Sequence, residues 1–401
     1  MTTPTLRLPR PRAATTLCAA LCAGFGTAAL AEPNPYYLGA VVEYGHSSNV
    51  FRAEKKNAKS DSYLSYGLVA GLDQPIGRQR IYADASVNKR NYQDVNQLDH
   101  VNYGLNAGID WETIERLSGN LNVALNQGLE DPSLRNQALD SRVITKTQAV
   151  SFRAQYGLVS LLSLEATLAH SNTDYSLSET ASPAAVAAYD ALSLKRDSVG
   201  LGLKYRPSGA LTLGTALRLS RGKYPNESYD GRYVDLTAIW EATGLSTLTA
   251  RLSATNVGYD KDRSRDYSGL TGSLGWNYRP TGKLSFRTLL SRDTGPESLL
   301  TYGDSSRVTT GLTVGVGYEV TAKIRLNANA RYIHRTLAID GPPEREGSDR
   351  VKGLTVGVSY EPARAWLLGC NVGKESRGIS GGLSTPYSVD TYSCMAQFKF
   401  Q

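Results

Sequence analysis

Four histidines, His46, His100, His170 and His334, are the side chains best suited to acid–base or metal chemistry, and no two of them sit at ligand spacing. His170 and Ser171 adjoin at a strand end, where a Ser/His pair could attack an ester, but no third residue is spaced to orient them. Gly200-Leu201-Gly202 and Gly315-Val316-Gly317 lack the following helix that a phosphate-cradling loop needs. No catalytic residue, metal ligand or cofactor is therefore expected, and the chemistry that remains is ionic. Arg90, Arg153, Lys204, Arg206, Arg218, Arg251, Arg287, Arg325 and Arg331 fall on the polar face of alternating segments. Glu43, Asp84, Asp110, Glu165 and Asp235 share that face, among Asn, Ser, Thr and Gly. Such a face would hydrate a pore and mildly favour anions. Its arginines could also grip carboxylates through paired hydrogen bonds, as acidic sugars would require. The same charges could instead pair across neighbouring strands and only fill the interior.

The elements that carry these residues alternate with period two. Val101, Tyr103, Leu105, Ala107, Ile109 and Trp111 interleave with polar or small residues, and Val308 to Tyr318 does the same. Period two over such lengths means strands with chemically different faces. Short turns recur on one plan. Tyr205-Arg-Pro-Ser-Gly-Ala-Leu matches Tyr278-Arg-Pro-Thr-Gly-Lys-Leu, and the segments from Tyr318 and Tyr360 follow them. Looser versions lie at 73–79, 111–117, 156–161 and 240–245. Longer polar connections separate them, at 130–141, 176–193, 293–304 and 338–349. Adding a first strand near 36–51 and a last near 387–400 predicts about eighteen strands, within a range of about sixteen to eighteen. A propeller blade would need four strands per repeat, and here each repeat holds two. The expected fold is all-β: a transmembrane, antiparallel, up-and-down β-barrel, apolar outside and polar inside, in the outer membrane of a Gram-negative bacterium.

Composition agrees. The chain of 401 residues is 41% hydrophobic and has no series of apolar runs long enough for a helical membrane bundle. A net charge of +7 is small for a nucleic-acid partner. Tyr outnumbers Phe by 24 to 6, which suits rings that meet lipid on one side and water on the other. Arg7, Arg10 and Arg12 followed by apolar 13–30 read as a secretory signal over 1–31, cleaved between Ala31 and Glu32 to leave one barrel domain over 32–401. Cleavage removes Cys18 and Cys22 and leaves Cys370 and Cys394, equally far from the centre of the last long loop. In a hairpin they would face each other, either as a disulfide or as two small apolar residues. Tyr392, Cys394, Ala396, Phe398 and Phe400 share one face of the final strand, the form in which such barrels present themselves to the barrel-assembly machinery.

Tyr44-Gly-His-Ser-Ser-Asn-Val-Phe-Arg52, with the Tyr-x-Pro-Thr-Gly-Lys-Leu turns, resembles the EpsL-type outer-membrane proteins of exopolysaccharide operons, within a broader β-barrel porin group. Ser48 stands where members of the family often carry Asp. The resemblance spans nearly all of the mature chain and singles out Asn49, Phe51 and Arg52. It implies a non-enzymatic role in exopolysaccharide biosynthesis or export, with polysaccharide, an export channel and inner-membrane synthesis enzymes as partners. A general or solute-specific porin is the alternative, and a structural barrel whose loops bind extracellular polymer is the third. No segment marks a subunit interface.

Overall fold

The computed structural model describes residues 34–135, 138–157, 161–179, 181–261, 263–294, 306–339 and 345–400. The expected signal segment and its Ala31/Glu32 cleavage point lie outside the described residues, as does most of the connection at 293–304. The strands are β1 (Tyr36–Ser47), β2 (Asp61–Ile76), β3 (Gln79–Tyr92), β4 (His100–Glu112), β5 (Leu117–Leu129) and β6 (Val143–Tyr156). They continue as β7 (Leu162–Leu177), β8 (Leu194–Ser208), β9 (Leu211–Lys223), β10 (Ser228–Thr243), β11 (Ser246–Tyr259) and β12 (Tyr267–Tyr278). The series ends with β13 (Leu284–Asp293), β14 (Ser306–Glu319), β15 (Ile324–Ile339), β16 (Arg345–Tyr360), β17 (Trp366–Ser380) and β18 (Tyr387–Phe400). Each pairs antiparallel with its sequence neighbours, and β1 pairs with β18, so the 18-stranded sheet closes into a ring. Closure satisfies the backbone groups that an open edge would expose to hydrocarbon. No described helix is long and apolar enough to cross a membrane.

The alternation sets which residues face lipid. Leu201, Leu203, Leu217, Leu219, Leu236, Leu252, Leu270 and Leu354 are large, apolar and exposed on the outer wall. A soluble protein would not leave so continuous an apolar belt uncovered; lipid covers it. Tyr156, Tyr205, Trp240, Trp276, Tyr318, Tyr360 and Trp366 are exposed beside the short turns and form an aromatic girdle at the periplasmic end.

The repeated turn plan has a local cause. Thr281 Oγ1 accepts from the backbone N–H groups of Lys283 (3.3 Å) and Leu284 (3.0 Å). Thr321 Oγ1 does the same for Lys323 (3.2 Å) and Ile324 (3.0 Å), and Ser208 Oγ accepts from Ala210 (3.3 Å). The hydroxyl three residues after the tyrosine therefore bends the chain back. Between β2 and β3 only two residues intervene, and Gly77, with φ at +62°, supplies the left-handed backbone that such a hairpin requires.

Two features differ from the expectations, and a third decides between two alternatives. β1 stops at Ser47 rather than near Phe51, because Asn49 turns the chain inward: its Oδ1 accepts from Ala53 N (3.0 Å) and its Nδ2 donates to Ala53 O (2.8 Å). The polar connection at 176–193 contains a helix, α1 (Pro183–Asp190), started by Ser182, whose side chain accepts from Ala185 N (3.2 Å), and by proline in the first turn. Cys370 and Cys394 are directly opposed on β17 and β18 and are joined as a disulfide.

Candidate functional site

The register puts the charged residues expected on the polar face onto the inner wall, where most of them meet partners. Glu43 on β1 accepts from Arg90 on β3 (3.2 Å) and from the Tyr63 hydroxyl on β2 (3.0 Å). The Arg90 guanidinium lies 4.0 Å over the Tyr63 ring. Asp110 is approached by Arg80 (3.4 Å) and Asn120 (2.6 Å), and Asp84 by the Tyr37 hydroxyl (3.2 Å). Arg218 bonds Asp235 (3.0 Å), which also accepts from Ser253 and is 7% exposed. Arg251 reaches Asp293 (3.2 Å), and Arg325 reaches Glu319 (3.2 Å). Arg206 sits near the periplasmic end of β8, where its N–H bonds Leu161 O (2.8 Å).

Pairing along the wall is not one to one. Glu165 on β7 is shared by Lys204 (2.5 Å) and Arg153 (3.6 Å). Asp349 on β16 is shared by Arg335 and, at 3.7 Å, by Arg377. Arg287 donates only to a neutral partner among the described residues, Asn277 Oδ1 at 3.4 Å. Each of these three sites leaves about one positive charge on the wall, whereas Arg80, shared by Asp73 (2.7 Å) and Asp110 (3.4 Å), leaves about one negative charge.

The connection between β5 and β6 crosses this lumen. In a ring of 18 strands, β6 lies opposite β15. Asp131 caps a single turn of 3₁₀ helix, Pro132–Leu134, by accepting from Ser133 N (2.8 Å). On the far wall, Arg331 of β15 donates to Ser133 Oγ (3.1 Å), pairs with Glu375 and lies 3.7 Å from Asp131. Arg377 of β17 donates to the carbonyl oxygens of Arg135 (2.6 Å) and Ser133. Arg135 turns back onto Glu130 (2.7 Å), which also accepts from Tyr189 of α1 (3.2 Å). Burial raises the Glu130 carboxyl above the ordinary carboxylate range, by more than the Arg135 guanidinium lowers it. Asp140 holds Lys59 (3.0 Å), Arg142 donates to Asp99 O (2.6 Å), and Ala138 N donates to Thr385 Oγ1 (3.1 Å). The crossing segment is thus tied to the loops that follow β1, β3 and β17.

Asn49, Phe51 and Arg52 lie in the same network. Phe51 is buried with Val50 and Leu98. Asn49 Nδ2 also reaches Ser388 O (3.3 Å), and Arg52 pairs with Glu375 (3.3 Å). Arg52 holds φ at +53°, a left-handed conformation uncommon for a non-glycine residue.

His170 and Ser171 point to opposite faces, as adjacent strand residues must, and His170 pairs with Asp197 on the outer wall (2.7 Å). No group of three or more potential metal-binding side chains occurs among the described residues. The residues that sequence reasoning missed are Arg335, Asp349, Glu375 and Arg377. Arg335 continues the inward parity of Arg325 and Arg331 on β15, and Asp349, Glu375 and Arg377 fall on the inward parity of β16 and β17, where the same alternation would have found them.

No protein-family model matches the sequence, and no curated protein does. The fold is similar to that of solved outer-membrane proteins. OpdK of Pseudomonas aeruginosa aligns over 91% of this chain and 99% of its own, with a TM-score of 0.51 and 13% identity. OccK2 (OpdF) of the same organism aligns over 91% and 98%, with a TM-score of 0.51 and 11% identity. At this identity the likeness concerns the fold alone, a closed 18-stranded antiparallel barrel.

Proposed function

We propose that this barrel is an outer-membrane channel for small polar solutes that favours anions. The observation that carries the reading is the inner wall, where Glu165 and Asp349 are each shared between two cations and Arg287 faces a neutral amide. A hydrated lumen with excess guanidinium raises the local anion concentration and repels cations. The loop between β5 and β6 narrows the path. In planar bilayers the purified barrel is expected to conduct and to show an anion-directed reversal potential in a KCl gradient. Replacing Arg153 and Arg287 by Glu should move the anion/cation permeability ratio toward cations, on the order of threefold per site. A barrel that conducts nothing overturns the reading.

A second reading, participation in exopolysaccharide biosynthesis or export, is supported by the Ser47–Arg52 segment alone. A deletion strain distinguishes the two. Loss of secreted polymer with unchanged uptake of small anions favours the second reading; reduced uptake with normal polymer favours the first.

A further inference from the structure

At the extracellular end of the outer wall, four strands change from apolar to basic. On β16 the outward series runs Tyr360, Val358, Val356 and Leu354, then Lys352 and Arg350. On β17, Val372 is followed by Lys374; on β15, Tyr332 by His334; and on β13, Leu290 by Arg292. The register aligns Arg292, Thr310, His334 and Arg350 in one row across β13–β16, with Lys352 and Lys374 on the rows below. From Tyr360 in the periplasmic girdle to Arg350 is roughly 33 Å of strand, or about 25 Å of membrane height at barrel tilt. The basic row therefore sits at the outer headgroup level.

The charge in this row is uncompensated. Lys374 pairs with Asp390 (3.4 Å), while Arg292, Arg350 and Lys352 are exposed and have no ion-pair partner among the described residues. The corresponding row of β7–β10 contains two carboxylates, with His170 paired to Asp197 (2.7 Å) and Arg221 to Asp230 (3.8 Å), and exposed Lys195 and Lys223 lie one row further out. Long basic side chains above an apolar belt can lay their stems on acyl chains and carry their charge at the phosphates. We propose that Arg292, Arg350 and Lys352 form a binding site for the phosphorylated glycolipid of the outer leaflet, lipopolysaccharide, which would seat its acyl chains on Leu354 and Val372. The inference rests on lipid coverage of the outer wall, not on what passes through the lumen.

The test uses the purified barrel in detergent micelles with bisphosphorylated lipid A as the probe, read by native mass spectrometry. The triple variant Arg292→Gln/Arg350→Gln/Lys352→Gln should bind lipid A roughly 100-fold more weakly. The charge-matched triple Lys195→Gln/Arg221→Gln/Lys223→Gln should change affinity by less than about threefold. Dephosphorylated lipid A should bind the unaltered barrel weakly, and millimolar inorganic phosphate should not displace the intact lipid. Single-channel conductance of both variants verifies the fold independently of the outer wall. Equal losses in the two triples would reduce the effect to general electrostatics and overturn the site, as would undiminished binding in the first. Displacement by inorganic phosphate would reassign the row to free phosphate and overturn the lipid.

Discussion

Replacing Arg377 by Ala should release the loop between β5 and β6 and raise single-channel conductance. The Arg377 side chain is 1% exposed and donates to two carbonyl oxygens of that loop. Charge-assisted bonds of this kind are worth about 1.5–3 kcal/mol each, so losing both shifts the docked-to-released ratio by more than roughly a hundredfold. The wall itself survives, because Asp349 keeps Arg335, and the pair left behind is neutral. Asp349→Asn should behave differently. It removes the carboxylate that two nearly buried guanidinium groups share, which should cost about 3–5 kcal/mol and lower the stability of the barrel. Limited trypsin digestion separates the cases: cleavage at Arg135 should appear in Arg377→Ala under conditions where the unaltered barrel resists. Unchanged conductance together with unchanged digestion would show that Arg377 does not hold the loop.

The second large effect concerns the outer wall. Leu201 is 59% exposed on β8, between Ala166 of β7 and Leu217 of β9. Near the middle of the hydrocarbon, Leu201→Arg should cost about 2–4 kcal/mol. Asn329→Arg, which stands on the inner wall opposite Gly315, should cost less than about 1 kcal/mol. Urea unfolding in lipid vesicles, followed by gel mobility of the folded band, measures both. Equal costs would mean that something other than hydrocarbon covers the leucine belt.

Architecture was legible where it depends on local periodicity. Val101 to Trp111 alternates because each residue sees one of two environments, and that pattern survives in the sequence whatever the rest of the chain does. The turn after Tyr278 was legible because Pro280 and Thr281 act within their own segment. Parity alone assigns the inner face of Arg90, Lys204 and Arg331. The crossing loop was not legible. Its anchors are backbone oxygens of Ser133 and Arg135 bonded by Arg377, more than two hundred residues later, and a carbonyl has no sequence signature. The buried Arg335–Asp349 pair shows the same limit: alternation gives the face of each residue, while partner and depth come only from the strand register and the loop above them. The end of β1 was misjudged because Val50 and Phe51 are as apolar as strand residues, although they pack inside a loop.

The cluster after β1 joins that loop to the last two strands. Ser48 exchanges hydrogen bonds with Asp390, Asn49 reaches Ser388, and Arg52 pairs with Glu375. A polypeptide truncated before Glu375 could still form its early hairpins but would find nothing to fasten them to. Closing the rim at this point therefore requires residues from both the first strand's loop and the last two strands.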